Sequence, residues 1–441
     1  MSDVLWSAPV AEEPVDALVR VPGSKSLTAR WMLIAALADA PALLRGVLVS
    51  RDTRLMSDAL ERLGAQLAVE DSALRVTPIP PPAEHPAEPV EIHAGLAGTV
   101  MRFVPLLAAL HNGDVSFTGD EGALVRPMGP VIAALRSQGV EVIEHGEAGR
   151  LPFTVRGTGS LPGGRLEIDA SASSQFISNL LLMGARCESD LVVCHTGESL
   201  PSLPHIEMTV SELARAGVAV RHRLDEQGRH EWTVPAGPIL VDEILIEPDL
   251  SNAGPFLAAA MVTGGEIAIA DWPRTTDQPG DAYRDLLTRM GGTFWWEDED
   301  LCLRGTGEIH GIDADLSATG ELTPTIAALA ALADSPSHLR GIGHLRGHET
   351  DRIHALAVEL EKVGCRTVEH ADSLEIHPGA LHGVEFETYE DHRMATAGAI
   401  IGLCVPDTKV LNISTTQKTL PDFVGMWLTM LHTEAQAGEI W

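Results

Sequence analysis

The sequence predicts an α/β protein built from six copies of one unit, divided into two domains of three. Two in-phase helix series carry that reading. Members of the first are amphipathic and end at Gly64, Gly139, Gly217, Gly291 and Gly364, spaced 75, 78, 74 and 73 residues apart. Glycine just past a helix end supplies the left-handed cap that a residue with Cβ adopts only at a cost. Each helix then gives way to a strand, a turn and another strand, as in Leu55–Gly64 followed by Ala65–Val69 and Ala73–Val76. Members of the second series are Ala/Leu-rich and start near Ser26, Gly98, Ser173, Ser251, Thr323 and His392, at intervals of 72, 75, 78, 72 and 69. Matched intervals of this kind mark an internal repeat. Six such units fill the 441 residues.

Taken in order, the elements also place the domain boundaries. The amphipathic helix of the sixth unit falls at Asp422–Leu431, with too little chain after it for a strand pair. The missing pair is expected at the N-terminus, at Val4–Pro9 and Ala17–Val21. Both chain ends would then belong to one domain. The expected domains are 24–245, and 1–21 together with 248–441, with the chain crossing near Pro22–Gly23 and Glu247–Pro248 as a hinge. The proline-rich run Pro78–Pro89 resembles a linker in composition, but the repeat register puts it inside a unit, as a surface loop.

Composition narrows the function classes. The chain carries 31 Lys+Arg against 62 Asp+Glu, a formal charge of −31. Nucleic acid and anionic membrane would be repelled by such a surface. The longest apolar stretch, around Ala395–Val405, is far short of the ~20 residues that span a bilayer. Five scattered cysteines without a C-x-x-C pair fit reduced thiols in a cytoplasmic protein. With only four lysines (Lys25, Lys362, Lys409, Lys418), a small anionic ligand would need the scarce cations gathered locally.

The second helix series opens on such gatherings. The segments read Pro-Gly-Ser-Lys25-Ser26, Leu-Ala-Gly98-Thr99, Ser171-Ala-Ser173-Ser174-Gln175, Asp249-Leu-Ser-Asn252, Glu321-Leu-Thr323 and Asp391-His392-Arg393. A helix start leaves about four backbone N–H groups unpaired and carries partial positive charge. Hydroxyl residues there serve as caps, or give way to a bound phosphate. Plain capping suffices for any one Ser or Thr. The combination says more, because Lys25 with Arg30, Arg102, and Arg393 lie within a turn or so of three of these starts. Further cations occur at Arg126, Arg352 and Lys418, whereas Arg62 and Arg136 read as solvated. Gly23-Ser-Lys25-Ser26 lacks the spacing of a nucleotide-cradling P-loop. His344 and His348, four apart, lack the order of a zinc-binding helix. No metal and no cofactor is implied.

Pro22-Gly-Ser-Lys-Ser-Leu-Thr-Ala-Arg30, Gly95-Leu-Ala-Gly-Thr-Val-Met-Arg102, Ser173-Ser-Gln175, Glu349-Thr-Asp-Arg352, Asp391-His-Arg-Met394 and Lys418-Thr-Leu-Pro-Asp422 follow one another along nearly the whole chain. Together they resemble the enolpyruvyl transferase family, on its 5-enolpyruvylshikimate-3-phosphate synthase branch. The resemblance implies a two-domain inside-out α/β barrel, six βαβαββ repeats around an interdomain cleft. It also implies transfer of the enolpyruvyl group of phosphoenolpyruvate to the 5-hydroxyl of shikimate-3-phosphate, with release of phosphate, by a cytoplasmic monomer. On the family's pattern, Lys25, Arg126, Gln175, Arg352, Arg393 and Lys418 would hold phosphoenolpyruvate, with Gly98 a close backbone wall. Lys25, Ser26, Arg30, Ser173, Ser174, Gln175, Ser202, Glu321 and His348 would hold shikimate-3-phosphate. Glu321, in place of the family's usual Asp, would be the base, and Glu349 the proton donor with Lys25 assisting. His392 would orient phosphate or Glu349.

The match has departures. Ala29 and Leu96 stand where Asn is common, His348 where Lys is, His344 where Asn is, and His205 where an aromatic often lies. Two other readings compete. The sister enzyme that acts on UDP-N-acetylglucosamine normally has a Cys in the loop that here reads Gly119-Asp-Glu-Gly-Ala-Leu-Val-Arg126. A non-catalytic anion-binding relative would keep the fold without turnover.

Overall fold

A computed structural model of the chain describes residues 4–82 and 88–432. The chain divides into two compact units, Met1–Pro22 with Glu247–Trp441 (the terminal unit) and Gly23–Ile246 (the inserted unit).

The inserted unit holds three four-stranded sheets. In one, Val90–His93 runs parallel to Asn112–Thr118, which pairs antiparallel with Phe153–Thr158, itself antiparallel to Glu141–Glu144. The parallel pair is joined through the helix Gly98–Ala108, and the helix Gly129–Ser137 leads into the hairpin. Gly164–Ile168, Leu191–His195, His230–Val234 and Arg221–Leu224 repeat the pattern around the helix Gln175–Gly184. The remaining sheet takes its first strand from the far end of the unit. Glu243–Leu245 pairs parallel with Ala42–Arg45, which pairs with Ala73–Thr77 and so with Gln66–Glu70.

The terminal unit is built the same way. Its sheets are Asp16–Val19, Glu266–Ile269, Asp300–Arg304 and Thr293–Glu297; Asp313–Asp315, Ser337–Arg340, Ser373–His377 and Arg366–Glu369; and Glu385–Phe386, Lys409–Leu411 and Leu5–Ser7. The two N-terminal strands therefore do not form the pair expected of the sixth unit. Leu5–Ser7 completes that unit's sheet, whereas Asp16–Val19 opens the fourth. Pairings across some 250 to 400 residues leave no local signal in the sequence.

Helices of the second series form the core of each unit, with the sheets outside, giving an inside-out barrel. Thr323–Ala331 is buried at every position. A helix apolar all round is what a central position demands. In the helices starting at Lys25, Gly98, Gln175 and His392, the incompletely buried residues lie in the first turn: Lys25 and Ser26, Gly98, Gln175, and Arg393. The folding force thus comes from the helix body and leaves its first turn for chemistry.

The first series is amphipathic, and its five terminal glycines all have positive φ, between +78° and +117°. The run after Thr77 has no regular element at 78–82 or 88–89, and the middle of the expected Pro78–Pro89 loop lies outside the described residues.

Candidate active site

In the inserted unit, Lys25 opens its helix one residue after Ser24, whose hydroxyl accepts the Leu27 N–H at 3.4 Å. The Lys25 ammonium lies 3.7 Å from the buried carboxylate of Asp52, at the start of the helix Arg51–Arg62. Asp52 limits where the ammonium can swing, a function that nothing near Lys25 in sequence announces.

Arg30 sits one turn further along and is fully buried. Its Nε donates to Thr209 Oγ1 at 2.8 Å, Nη1 to the Ser26 carbonyl at 3.1 Å, and Nη2 to the His205 carbonyl at 3.0 Å and Ser178 Oγ at 3.5 Å. Phe103 packs under it, with the ring centroid 5.6 Å away. Burial lowers its pKa to about 10, against the raising influence of Glu212. Four of its five N–H groups serve the protein, so Arg30 ties Ser26 to the start of the helix Leu203–Arg215. Ser202 holds the N-cap position of that helix in the left-handed region, at φ +55°, with no side-chain cap bond. Such strain in a residue with Cβ persists only where its surroundings enforce it.

Arg102 brings together residues from two repeats. Its Nη1 donates to Ser173 Oγ at 3.1 Å and to Gln175 Oε1 at 2.9 Å, while Phe176 packs beneath the guanidinium. The Ser173 hydroxyl also accepts the Gln175 N–H at 3.3 Å. With its oxygen engaged by Arg102, Gln175 keeps its amide N–H groups as donors. Ser174 is the N-cap of this helix but makes no side-chain cap bond. Ala97, before Gly98, cannot make one. Arg126 lies against Gly98: a Cβ built there would be 3.1 Å from Nη2. Its Nη1 donates to the Leu96 carbonyl at 3.1 Å. Arg126 makes no ion pair among the described residues.

In the terminal unit, Arg352 is the hub. Its Nε and Nη2 donate to Asp391 at 2.6 and 3.2 Å, Nη2 also to Glu349 at 2.8 Å, and Nη1 approaches His348 Nδ1 at 3.1 Å. Burial opposes the charge, but Asp391 and Glu349 outweigh it and hold the guanidinium well above its ordinary pKa. Glu349 Oε1 accepts from Lys418 at 2.5 Å. Asp391, fully buried, also caps its helix by accepting the Arg393 N–H at 2.9 Å. The Arg393 side chain makes no ion pair among the described residues.

Glu321, largely buried, lies in the short 3-10 turn Gly320–Leu322 before the helix Thr323–Ala331. The His344 ring packs on Gly320 so tightly that a Cβ there would be 2.3 Å from Nε2. His348 meets His344 edge to face, with centroids 5.8 Å apart. Burial holds the His344 imidazole below its usual range, against the raising pull of Glu321 and Asp372. His392 Nδ1 is 3.7 Å from Asp391.

Of the expected residues, then, Lys25 lies with Asp52, Ser26 with Arg30, Ser173 with Gln175 and Gly98 with Arg126. Arg352, Lys418, Glu349 and His348 form a second group, joined through Asp391 to the Arg393 backbone. Sequence reasoning noted Arg102 without giving it a task and missed Asp52 and Asp391 as partners. Asp391 stood in plain view in its motif; Asp52 gave no signal. Among the described residues, no group of three or more His, Cys, Asp or Glu is placed to hold a metal ion, and no helix is long and apolar enough to cross a membrane.

Comparison with known proteins gives the family. The family model for EPSP synthase (3-phosphoshikimate 1-carboxyvinyltransferase) matches residues 10–427. A 3-phosphoshikimate 1-carboxyvinyltransferase of Kocuria rhizophila is 53% identical over 440 residues, covering 98% of each chain. One from Bifidobacterium longum is 48% identical over 439 residues, 97% of this chain and 98% of its own. Among solved structures, an EPSP synthase from Acinetobacter baumannii superposes with a TM-score of 0.75 at 22% identity, covering 96% of each chain. The enolpyruvyl transferase NikO from Streptomyces tendae superposes with a TM-score of 0.73 at 18% identity, again over 96% of each. On the extent of these matches, the chain belongs to the EPSP synthase family.

Proposed function

We propose that this protein transfers the enolpyruvyl group of phosphoenolpyruvate to the 5-hydroxyl of shikimate-3-phosphate and releases inorganic phosphate. The observation that carries the reading is the Glu349 carboxylate held by Arg352 and Lys418 at 2.8 and 2.5 Å. Glu349 thus engages the cations that an anionic donor would need. An arriving phosphate or carboxylate competes for them and releases Glu349, beside the donor, as an acid–base group.

The reaction requires one proton to leave the acceptor hydroxyl and one to reach C3 of phosphoenolpyruvate as the acceptor oxygen bonds to C2. The product is a tetrahedral intermediate. Loss of a C3 proton and cleavage of the C2–O bond to phosphate then restore the double bond. In our reading Glu321 accepts the hydroxyl proton, Glu349 exchanges the C3 proton and Lys25 assists, its reach set by Asp52. Arg126, Arg352, Arg393, Lys418 and the Gln175 amide hold phosphoenolpyruvate, with Gly98 admitting it closely. Ser26, Ser173, Ser174, Gln175, Ser202, His348 and Lys25 hold shikimate-3-phosphate. Arg30 contributes its remaining N–H to shikimate-3-phosphate and fixes Ser26 and the His205 carbonyl. The reading also takes the protein as a cytoplasmic monomer that needs no cofactor, with domains 24–245 and 1–21 plus 248–441.

Following phosphate release with each acceptor tests this. Turnover with shikimate-3-phosphate and none with UDP-N-acetylglucosamine supports the reading. The opposite preference would assign the chain to the sister reaction, and binding without turnover would make it a non-catalytic relative.

A further inference from the structure

A strained loop in the terminal unit connects the elements that carry Arg352, Arg393 and Lys418. Tyr389 and Glu390 are consecutive left-handed residues, with φ of +52° and +57°, although neither is glycine. Directly after them come Asp391 and the His392–Gly402 helix, with Arg393 in its first turn. A conformation this unfavourable for a residue with Cβ persists only when its neighbours hold it.

Two anchors do so. Glu359, fully buried on the helix Arg352–Val363, accepts the Tyr389 hydroxyl at 2.7 Å and the Glu387 backbone N–H at 3.1 Å. Lys362 balances its charge at 2.7 Å. On the other side, the Asn412 amide donates to Glu390 Oε1 at 3.0 Å. Asn412 is itself left-handed at φ +56° and is the N-cap of the turn Ile413–Lys418, which ends on Lys418. Burial and the facing Glu359 carboxylate hold the Tyr389 phenol well above its ordinary pKa, so it stays a donor throughout the neutral range.

We propose that Glu359 and Tyr389 are positioning residues: by clamping the Tyr389–Glu390 kink they set the mutual geometry of Arg352, Arg393 and Lys418, and so tune the site for the phosphoenolpyruvate anion. Glu359 begins seven residues after Arg352 on the same helix, two turns away and on the same side. The Arg352 helix therefore grips the loop twice, through Arg352 to Asp391 and through Glu359 to Tyr389. Releasing the second grip lets the kink relax. Asp391 then loses the alignment that serves both Arg352 and the Arg393 N–H.

The inference rests on the function proposed above, and its test separates the two. Tyr389→Phe removes one hydroxyl and keeps the ring. Glu359→Gln keeps the shape but presents an N–H₂ where one acceptor stood. KM for each substrate is measured for both variants and for wild type. We expect KM for phosphoenolpyruvate to rise about five- to tenfold in Tyr389→Phe, with KM for shikimate-3-phosphate within twofold, a loss of about half a charge-assisted hydrogen bond's worth of alignment. Adding Glu359→Gln to Tyr389→Phe should cost less than the product of the two single effects, because both break one clamp. Should Glu359→Gln fail to fold, Tyr389→Phe decides alone. An unchanged KM for phosphoenolpyruvate, or equal rises in both KM values, overturns the clamp while leaving the function intact. Absence of turnover in wild type overturns both.

Discussion

Gly98→Ala probes the contact on which the donor-binding reading depends most locally. The glycine is not in a left-handed conformation, so alanine fits the backbone and favours the helix. Entropy of the unfolded chain should make the variant about 0.4–1 kcal/mol more stable. The cost falls on Arg126. A methyl at 98 would lie 3.1 Å from Nη2 and 3.4 Å from Nη1, so the guanidinium must retreat by roughly half an ångström to reach ordinary contact. That shift carries Nη1 out of register with the Leu96 carbonyl, now at 3.1 Å, and away from any anion seated on Gly98. Losing about half of a charge-assisted hydrogen bond, ~1–1.5 kcal/mol, weakens donor binding some five- to twelvefold. Steady-state kinetics should therefore show a higher KM for phosphoenolpyruvate, an unchanged KM for shikimate-3-phosphate, and a melting temperature equal to wild type or slightly above. A donor KM that stays put would refute the contact between Arg126 and the ligand. A melting temperature lowered by more than about 5 °C would mean that the methyl disturbs the core instead.

Other expectations concern the terminal unit. Arg352→Met strands the buried Asp391 carboxylate and should cost about 3–5 kcal/mol in urea unfolding; adding Asp391→Asn should recover part of it, and a loss under 1 kcal/mol would contradict the network. Glu349→Gln should lower kcat by about 10²–10⁴-fold without raising KM for phosphoenolpyruvate, since the competing carboxylate has gone; near-normal kcat would remove Glu349 from the chemistry. His344 has a pKa depressed by burial, so folding favours its neutral ring. That contribution is fully present above the ordinary imidazole pKa of 6.5 and is lost as pH falls through the lower folded value. Unfolding free energies measured from pH 7.5 to 5 should decline, and His344→Asn should flatten that decline; identical slopes would dismiss the ring as its source.

Much of the architecture was legible because it repeats. Terminal glycines and apolar helix starts are local signals, and the structure puts helices at Arg51–Arg62, Gly129–Ser137, Leu203–Arg215, Tyr283–Arg289 and Arg352–Val363, each ending just before its glycine. Strand exchange was not legible: Leu5–Ser7 and Asp16–Val19 look like neighbours in sequence yet join different sheets. The cationic motifs announced themselves through density in an acid-rich chain. Their supports did not. Glu359 and Lys362 look like a solvated pair one turn apart on an amphipathic helix, yet Glu359 is fully buried. Arg30 reads as a ligand-binding fork from its motif, and its tertiary contacts with Thr209 and His205, some 175 residues on, leave no mark there. Nothing local distinguishes a guanidinium that faces a ligand from one that holds up the wall.

Phosphorus NMR of the protein with equimolar phosphoenolpyruvate and shikimate-3-phosphate follows the proposed reaction itself. Both substrate signals should fall together while inorganic phosphate and one new phosphomonoester rise in equal amounts, and omitting either substrate should stop all change. Phosphate appearing without the new phosphomonoester, or substrate signals that persist, would contradict it.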